Sequence, residues 1–290
     1  MSAIPHRSSR LGILMMLGGT MTFAILDSLS KLLVKTQPAA MVVWARYAVP
    51  CVLMALLVGP RLGRRLVQSH DPQRQVARGL LLTGATLAMV FALRTMPLAE
   101  AQAISFVHPL LLTALAVWLL AEKVRGVGWF AIGLGFLGML VIVRPGGAVF
   151  TPAAVLPLAN ALCYALYGLV TRQVAHRDGT MTSLFFVLLV GALLLTAVLP
   201  FVWATPDLLG LAGLLAAGLL AGIGHFLIIK AFQNAPASVC APFAYGQLVW
   251  VTLLGALIFH ELPDGLTLVG MLVVVAGGLL VALARRWQKG

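Results

Sequence analysis

The chain has 290 residues, of which 61% are hydrophobic and 10% charged, and its formal net charge is +12 at pH 7. Water-soluble domains carry about 25% charged residues, so the composition excludes a soluble globular protein and predicts an integral membrane protein. The positive residues sit in short gaps between apolar runs, which is typical of cytoplasmic membrane-protein loops rather than of a nucleic-acid-binding surface.

The first apolar run, residues 11–34, must be distinguished from a secretory signal peptide because basic residues precede it. A signal peptide has an apolar core of about 7–15 residues and a small-residue cleavage site. This run is longer, lacks such a site and contains Asp27 and Lys31, so we expect a retained first helix. Asp27 and Lys31 are four residues apart, and the first expectation is that they pair with each other. If Asp27 instead faces a cavity, it is the best candidate for proton coupling.

Ten runs are long enough to cross a bilayer, since a spanning helix needs about 20 apolar residues. They cover residues 11–34, 39–59, 77–95, 98–120, 127–144, 152–173, 181–204, 208–233, 237–259 and 265–284. If the N-terminus is cytoplasmic, fifteen Lys and Arg residues fall on the inner side and five on the outer side. The positive-inside rule therefore places both termini in the cytoplasm of a bacterial-type inner membrane.

Residues recur at constant spacings between the two halves of the chain. The pairs at 139 residues are Pro97 and Pro236, Glu122 and Glu261, Gly126 and Gly265, and Gly138 and Gly277. We predict two five-helix repeats, residues 11–144 and 152–285. An odd number of helices inverts the second copy in the membrane, an arrangement found in many secondary transporters.

The segments ALRTMPLAEAQAISFVHPLL and LLAEKV in the first half, and KAFQNAPASVCAPFAYGQLV and FHELPDG in the second, carry a family resemblance. The chain resembles the drug/metabolite transporter superfamily, specifically its ten-helix branch with two EamA domains. Within that branch it is similar to amino-acid and metabolite exporters of the YddG type and to relatives that import vitamins or nucleoside-type metabolites. The resemblance implies a central cavity walled mainly by helices 1, 3, 4, 6, 8 and 9.

A polar stripe on the sixth span is the first candidate site. Asn160, Tyr164, Tyr167 and Thr171 are spaced so that all four project from one helix face. The repeat counterpart of Tyr164 on the first span is Phe23. Aromatic side chains beside polar ones suit a pocket for ligands with an apolar part and a polar head. The alternative is that the tyrosines only join helices.

The middle of the fourth span is the second candidate. His108 precedes Pro109, which removes a backbone donor and loosens the preceding turn, and Ser105 lies one turn earlier. The repeat partner of His108 is Gln247, and polar groups at matching depth favour a midplane binding site. The alternative is a histidine satisfied by a neighbouring helix. His225, on the eighth span, is a further substrate-binding candidate.

The remaining carboxylates favour structural roles. We expect Glu100 to pair with Arg94 or Arg46 at the outer mouth, and Glu122 and Glu261 to anchor helix ends to backbone or to nearby Lys and Arg. Glycines, including Gly218 and Gly222 and a cluster in the fifth span, let helices approach closely. They predict a scaffold or dimer surface, so the protein is expected to be a monomer or a homodimer.

We predict a secondary transporter that exports small metabolites, most specifically larger zwitterionic amino acids, because the predicted lining offers hydrogen bonds and aromatic faces without an assured fixed charge. The alternatives are an uptake transporter for a vitamin or nucleoside-type metabolite, and a polytopic membrane enzyme using His108, His225 and Asp27. Against the enzyme, the sequence has no HExxH, nucleophile-elbow or phosphate-loop motif. The expected partners are the substrate, the bilayer and protons. We expect no cofactor, metal or nucleic acid. Cys51, Cys163 and Cys240 are expected to be buried thiols.

Overall fold

A computed structural model describes residues 6–120, 126–144, 151–174 and 177–287. Thirteen α-helices account for most of them, and two short 3-10 turns cover Gly63–Leu66 and Pro152–Ala154. The helices are α1 (His6–Leu33), α2 (Ala39–Leu57), α3 (Gly59–Leu62), α4 (Pro72–Ala92), α5 (Leu98–Ser105), α6 (His108–Leu120), α7 (Gly126–Val143), α8 (Val155–Val174), α9 (Thr180–Val202), α10 (Leu208–Asn234), α11 (Ala237–Ala244), α12 (Gly246–Phe259) and α13 (Gly265–Trp287).

Nine segments of the described chain are long and apolar enough to cross a membrane. Many large apolar side chains on them are exposed, including Trp118 (84%) and Phe201 (86%), and such surface is stable against lipid. The chain is therefore a multi-pass membrane protein. A further apolar stretch, Gly265–Val281, belongs to α13 and is the segment predicted as the tenth span.

Local sequence explains where several helices begin. Asp71 caps α4 by accepting a hydrogen bond from the backbone N of Arg74, and Pro72 occupies the first helical turn. The helix therefore starts five residues before the predicted boundary at residue 77. Asp207 caps α10 in the same way, with its Oδ1 2.8 Å from the backbone N of Gly210.

The fourth and ninth predicted spans are each broken near the middle. Residues Phe106 and Val107 separate α5 from α6, and Tyr245 separates α11 from α12. The two breaks are equivalent, because Tyr245 follows Phe106 by the repeat spacing of 139 residues. Pro109 lacks the N–H that would continue the helix to the carbonyl of Ser105, so the predicted loosening before this proline appears as a full break.

Helices from the two halves of the chain alternate in the packing. Helix α1 packs on α10, α11 and α12, whereas α4 packs on α8 and α9, and α2 packs on α9 and α10. Helices α7 and α13 pair with each other, and their glycines allow close contact. A Cβ added at Gly138 would lie 2.8 Å from the carbonyl O of Gly270, and one added at Gly277 would lie 2.9 Å from that of Ala131.

The cysteines and two predicted anchors complete the comparison with the expected scaffold. Cys51 and Cys240 are buried free thiols, whereas Cys163 is half-buried. Glu122 lies outside the described residues, so its predicted anchoring role stays a prediction. Gly126 and Gly133 have no neighbouring atom within 4 Å of an added Cβ, so these two glycines of the fifth span do not serve the α7–α13 contact.

Candidate functional site

A cavity lies where helices of both halves meet. It encloses about 860 Å³ of empty space, counting its open mouth, which is within the range of about 300–1,000 Å³ for small-molecule sites. Its lining mixes polar, aromatic and aliphatic side chains. They are Phe23, Asp27, Arg46, Tyr47, Leu82, Ala85, Thr86, Met89, Gln102, Ser105, Phe106, His108, Asn160, Tyr164, Leu188, Ala221, His225 and Gln247.

An ion pair stands in one wall of the cavity. Asp27 on α1 and Arg46 on α2 are joined by a contact of 3.1 Å between Oδ1 and Nη1. The same Nη1 donates to Ser30 Oγ at 3.2 Å, and Gln247 Nε2 donates to Asp27 Oδ2 at 3.3 Å. The pair therefore connects the first two spans of one half with the ninth span in the other.

The predicted pairing of Asp27 with Lys31 is wrong. Lys31 Nζ lies 2.6 and 2.7 Å from the two carboxylate oxygens of Glu261, and 2.8 Å from the carbonyl O of Met96. The spacing of four residues allows a contact on one helix, but each side chain finds a partner on another helix. Asp27 faces the cavity, which was the alternative arrangement considered from the sequence.

Glu261 acts as a structural anchor, as predicted. Besides binding Lys31, its carboxylate accepts a hydrogen bond from the backbone N of Leu98 at 3.1 Å. His260 adopts a left-handed conformation with φ 56°, which ends α12 and lets the N–H of Glu261 reach the carbonyl O of Gly255.

The predicted pairing of Glu100 is also wrong. Arg46 is engaged by Asp27, and Arg94 is exposed, whereas Glu100 is 5% exposed. Within the part of the chain that the structure describes, Glu100 Oε2 is buried and has no hydrogen-bond partner.

The break between α5 and α6 directs a group of polar side chains into the cavity. His108 Nδ1 lies 3.1 Å from the carbonyl O of Ser105, the acceptor that Pro109 leaves without its helical donor. Ser105 Oγ donates to Asn160 Oδ1, and Asn160 Nδ2 donates to the carbonyl O of Ala85 at 2.8 Å. These bonds fix the fourth, sixth and third spans against each other at the depth of the cavity.

Aromatic rings cover the neighbouring wall in a contacting series. The ring centroids of His108 and Tyr164 are 4.7 Å apart, and those of Phe106 and His108 are 5.7 Å apart. Phe106 also contacts Tyr245, its equivalent in the second half, at 5.3 Å.

On another part of the wall, His225 meets Phe23 edge to face at 5.1 Å. This contact brings the candidate histidine of the eighth span onto the candidate aromatic residue of the first. Each of the two residues remains part of the cavity lining, so the contact leaves both available to a ligand.

The predicted stripe on the sixth span divides into two parts. Asn160 and Tyr164 line the cavity, whereas Tyr167 and Thr171 turn to Arg78 on α4. Arg78 Nε donates to Thr171 Oγ1 at 2.9 Å, Nη2 donates to the Tyr167 hydroxyl at 3.3 Å, and the guanidinium lies over the Tyr167 ring. The placement of Tyr167 in the lining is therefore wrong, because a buried arginine provides a stronger partner than the cavity. Its ring still contacts that of Tyr164 at 5.7 Å.

Seven of the eight predicted substrate-binding residues line the cavity, together with Asp27. The residues that the prediction missed include Arg46, Tyr47 and Thr86, of which the last two join their hydroxyl groups at 2.9 Å. Arg46 was assigned to the outer helix ends, although it is the one charged residue within the apolar sequence of α2. A charge in that position is costly unless it faces a cavity or a partner, and this was the available signal.

A family model described as the EamA-like transporter family matches the chain twice, over residues 10–144 and 151–283. A crystal structure of a protein superposes on 97% of this chain and 99% of its own, with a TM-score of 0.66 and 20% sequence identity, which indicates the same fold.

Three bacterial relatives cover nearly the whole chain. An S-adenosylmethionine uptake transporter of Rickettsia prowazekii is 26% identical, over 95% of this chain and 93% of the relative. A pseudopaline exporter of Pseudomonas aeruginosa is 30% identical, over 96% and 97%. A riboflavin transporter of Rhizobium johnstonii is 28% identical, over 96% and 93%. All three names describe transport of small metabolites.

Proposed function

Because this chain belongs to the EamA-like transporter family, we propose that it is a secondary transporter that moves small zwitterionic metabolites by alternating access. The observation that carries the proposal is the cavity, whose charged, polar and aromatic lining comes from helices of both halves. A site between two repeats can open to either side of the membrane when the repeats move against each other.

Reciprocal contacts support the inverted relation between repeats 11–144 and 152–285. Gly138 approaches Gly270 and Gly277 approaches Ala131, and each contact becomes the other when 139 is added or subtracted. As the number increases along α7, the contacting number decreases along α13, so these equivalent helices run antiparallel. The contact between Phe106 and Tyr245 supports the same symmetry. We propose ten spans, with α13 as the tenth and both termini in the cytoplasm of a bacterial inner membrane.

The substrate we propose first is an amino acid with an apolar or aromatic side chain, or a metabolite with an amino-acid head, moved outward. The name of the Pseudomonas relative favours export, whereas the Rickettsia and Rhizobium relatives favour S-adenosylmethionine or a vitamin and, for the former, uptake. The cavity favours the zwitterion, because Asp27 and Arg46 place both signs of charge next to aromatic rings. Asp27 is the candidate that couples transport to protons.

A ligand screen followed by exchange tests the proposal. Purified protein is heated with amino acids, S-adenosylmethionine, riboflavin or nucleosides, and the ligand that raises the melting temperature most is loaded into proteoliposomes. We expect saturable exchange of that ligand with labelled ligand outside. Failure of every ligand in the panel to exchange, or protein-dependent conversion of the ligand into a product, would overturn the transporter proposal and favour a membrane enzyme.

A further inference from the structure

The ion pair between Asp27 and Arg46 differs from the other pair formed by α1. Lys31 is saturated, because the two Glu261 oxygens and the Met96 carbonyl occupy its three N–H donors. Arg46 is joined to Asp27 through Nη1 alone, at 3.1 Å. The first arrangement is typical of a structural contact, whereas the second leaves hydrogen-bonding capacity unused.

The unused capacity can be counted from the described contacts. A guanidinium has five N–H donors, and the hydrogen bonds of Arg46 to described residues all leave from Nη1. A carboxylate has about four acceptor positions, and Asp27 receives one bond from Arg46 and one from Gln247. Both side chains line the cavity and retain some exposure, 12% for Arg46 and 7% for Asp27.

Among the described residues of the lining, these two carry opposite full charges. Donors of Arg46 suit a carboxylate, and acceptors of Asp27 suit an ammonium group. Because the two charges are already joined, a ligand with only one charge would leave one protein charge without a new partner. A ligand that carries both charges on adjacent atoms satisfies both together.

The aromatic wall of the same cavity complements this charged wall. His225 and Phe23 are in contact with each other, as are His108 and Tyr164. Phe23 is one turn from Asp27 on α1, so an apolar ring group attached to the zwitterion would meet aromatic faces close to its charged head.

We propose that the Asp27–Arg46 pair is the binding site for the α-ammonium and α-carboxylate groups of an amino-acid head, and that this pair selects zwitterions over amines and acids. The inference rests on the proposed transport function and defines its substrate class. It predicts a specific order of affinities within a series of ligands that share one ring.

The series is L-tryptophan, tryptamine, which lacks the carboxylate, and indole-3-propionate, which lacks the ammonium group. Their dissociation constants are measured with purified full-length protein in nanodiscs. We expect tryptophan to bind about tenfold more tightly than either analogue, because each analogue loses one charge-assisted hydrogen-bonded contact. Equal or tighter binding of an analogue by the wild type would overturn the proposal.

The double variant Asp27→Asn/Arg46→Gln removes both charges without leaving either one unpaired. We expect the preference for tryptophan to fall to within about threefold, the residue of uncharged hydrogen bonding. The matched control is Arg144→Gln/Asp264→Asn, which neutralises an ion pair outside the cavity lining and should keep the wild-type preference. An unchanged preference in the double variant at Asp27 and Arg46 would contradict the assignment.

A second variant keeps the test decisive if the double variant does not fold. Arg46→Lys keeps the positive charge but loses the forked geometry that matches a carboxylate. We expect it to weaken tryptophan and indole-3-propionate more than tryptamine, and an equal effect on all three ligands would overturn the proposal. Exchange of riboflavin or a nucleoside without binding of any member of the series would overturn this inference and leave the transporter proposal standing.

Discussion

Lys31 and Glu261, which are 230 residues apart in the chain, form an ion pair in which Lys31 Nζ lies 2.6 Å from Oε1. The pair joins the C-terminal end of α1 to the residue pair that follows α12. The same groups also bind the carbonyl O of Met96 and the backbone N of Leu98. Three chain segments are therefore held together at this end of the molecule.

We expect Lys31→Met to lower the free energy of unfolding by about 1–3 kcal/mol, less than the roughly 3–5 kcal/mol of a fully buried pair because the Glu261 side chain is 29% exposed. The double variant Lys31→Met/Glu261→Gln should be less destabilised than the sum of its single variants. Thermal unfolding of purified protein measures both effects. Arg94→Met, which removes an exposed cation, is the control, and an equal loss in it would contradict the role of the pair.

Asp27→Asn separates proton coupling from structure. Asparagine keeps hydrogen-bonding atoms beside Gln247 but cannot take up and release a proton. We expect exchange between two loaded compartments at saturating substrate to continue, while accumulation driven by a proton gradient is lost. Asp264→Asn, at an exposed carboxylate, should retain both activities. Proton-driven accumulation by Asp27→Asn would exclude this carboxylate as the coupling group.

Gly138→Ala tests the contact between α7 and α13. Its Cβ would lie 2.8 Å from both the carbonyl O of Gly270 and the backbone N of Val274, which cannot move as a flexible side chain does. We expect a loss of about 1–3 kcal/mol in the free energy of unfolding from overpacking. Gly133→Ala on the same helix meets no atom within 4 Å and should be neutral or stabilise by about 0.5–1 kcal/mol. Equal melting temperatures of the two variants would refute the close packing.

Asp178 connects two loops through its carboxylate. It accepts hydrogen bonds from Ser69 Oγ, from the His70 backbone N at 2.8 Å and from Gln75 Nε2 at 2.7 Å. Burial raises the pKa of this carboxyl, but the hydrogen bonds outweigh burial and hold the pKa well below its usual value. A pKa lowered on folding adds stability above the unfolded pKa of about 3.9, and that stability is lost as the pH falls through the folded value.

We therefore expect Asp178→Asn to lower the free energy of unfolding by about 1–3 kcal/mol at neutral pH. The difference from the wild type should stay constant from about pH 8 to about pH 5 and shrink below about pH 4. Melting curves across this range measure it. Asp207→Asn, where asparagine caps a helix as well as aspartate does, should match the wild type at pH 7. A difference that stays constant into strong acid would show that the charge is not involved.

Several parts of the site could be predicted because they follow from local spacing. The helix period placed Asn160 and Tyr164 on one face, and the repeat placed His108 and Gln247 at matching positions, and all four line the cavity. The side-chain partners could not be predicted in the same way. Whether Tyr167 faces the cavity depends on the position of Arg78, which is 89 residues earlier in the chain.

The ion pairs show the same limit. On α1, the spacing of Asp27 and Lys31 permits their contact, but Arg46 and Glu261 bind them instead. These choices depend on how α2 and α12 pack against α1, which no local pattern specifies. Arg46 could have been recognised as a candidate from its intramembrane position.

The measurement that tests the account most directly is exchange by variants inside and outside the cavity. Tyr164 lines the cavity, whereas Trp118 lies on α6 with 84% of its surface exposed. For Tyr164→Ala, we expect the ratio of maximal exchange rate to half-saturating concentration to fall by a factor that corresponds to about 1–3 kcal/mol. For Trp118→Ala, we expect wild-type exchange. Equal exchange by both folded variants in proteoliposomes would contradict transport through this cavity.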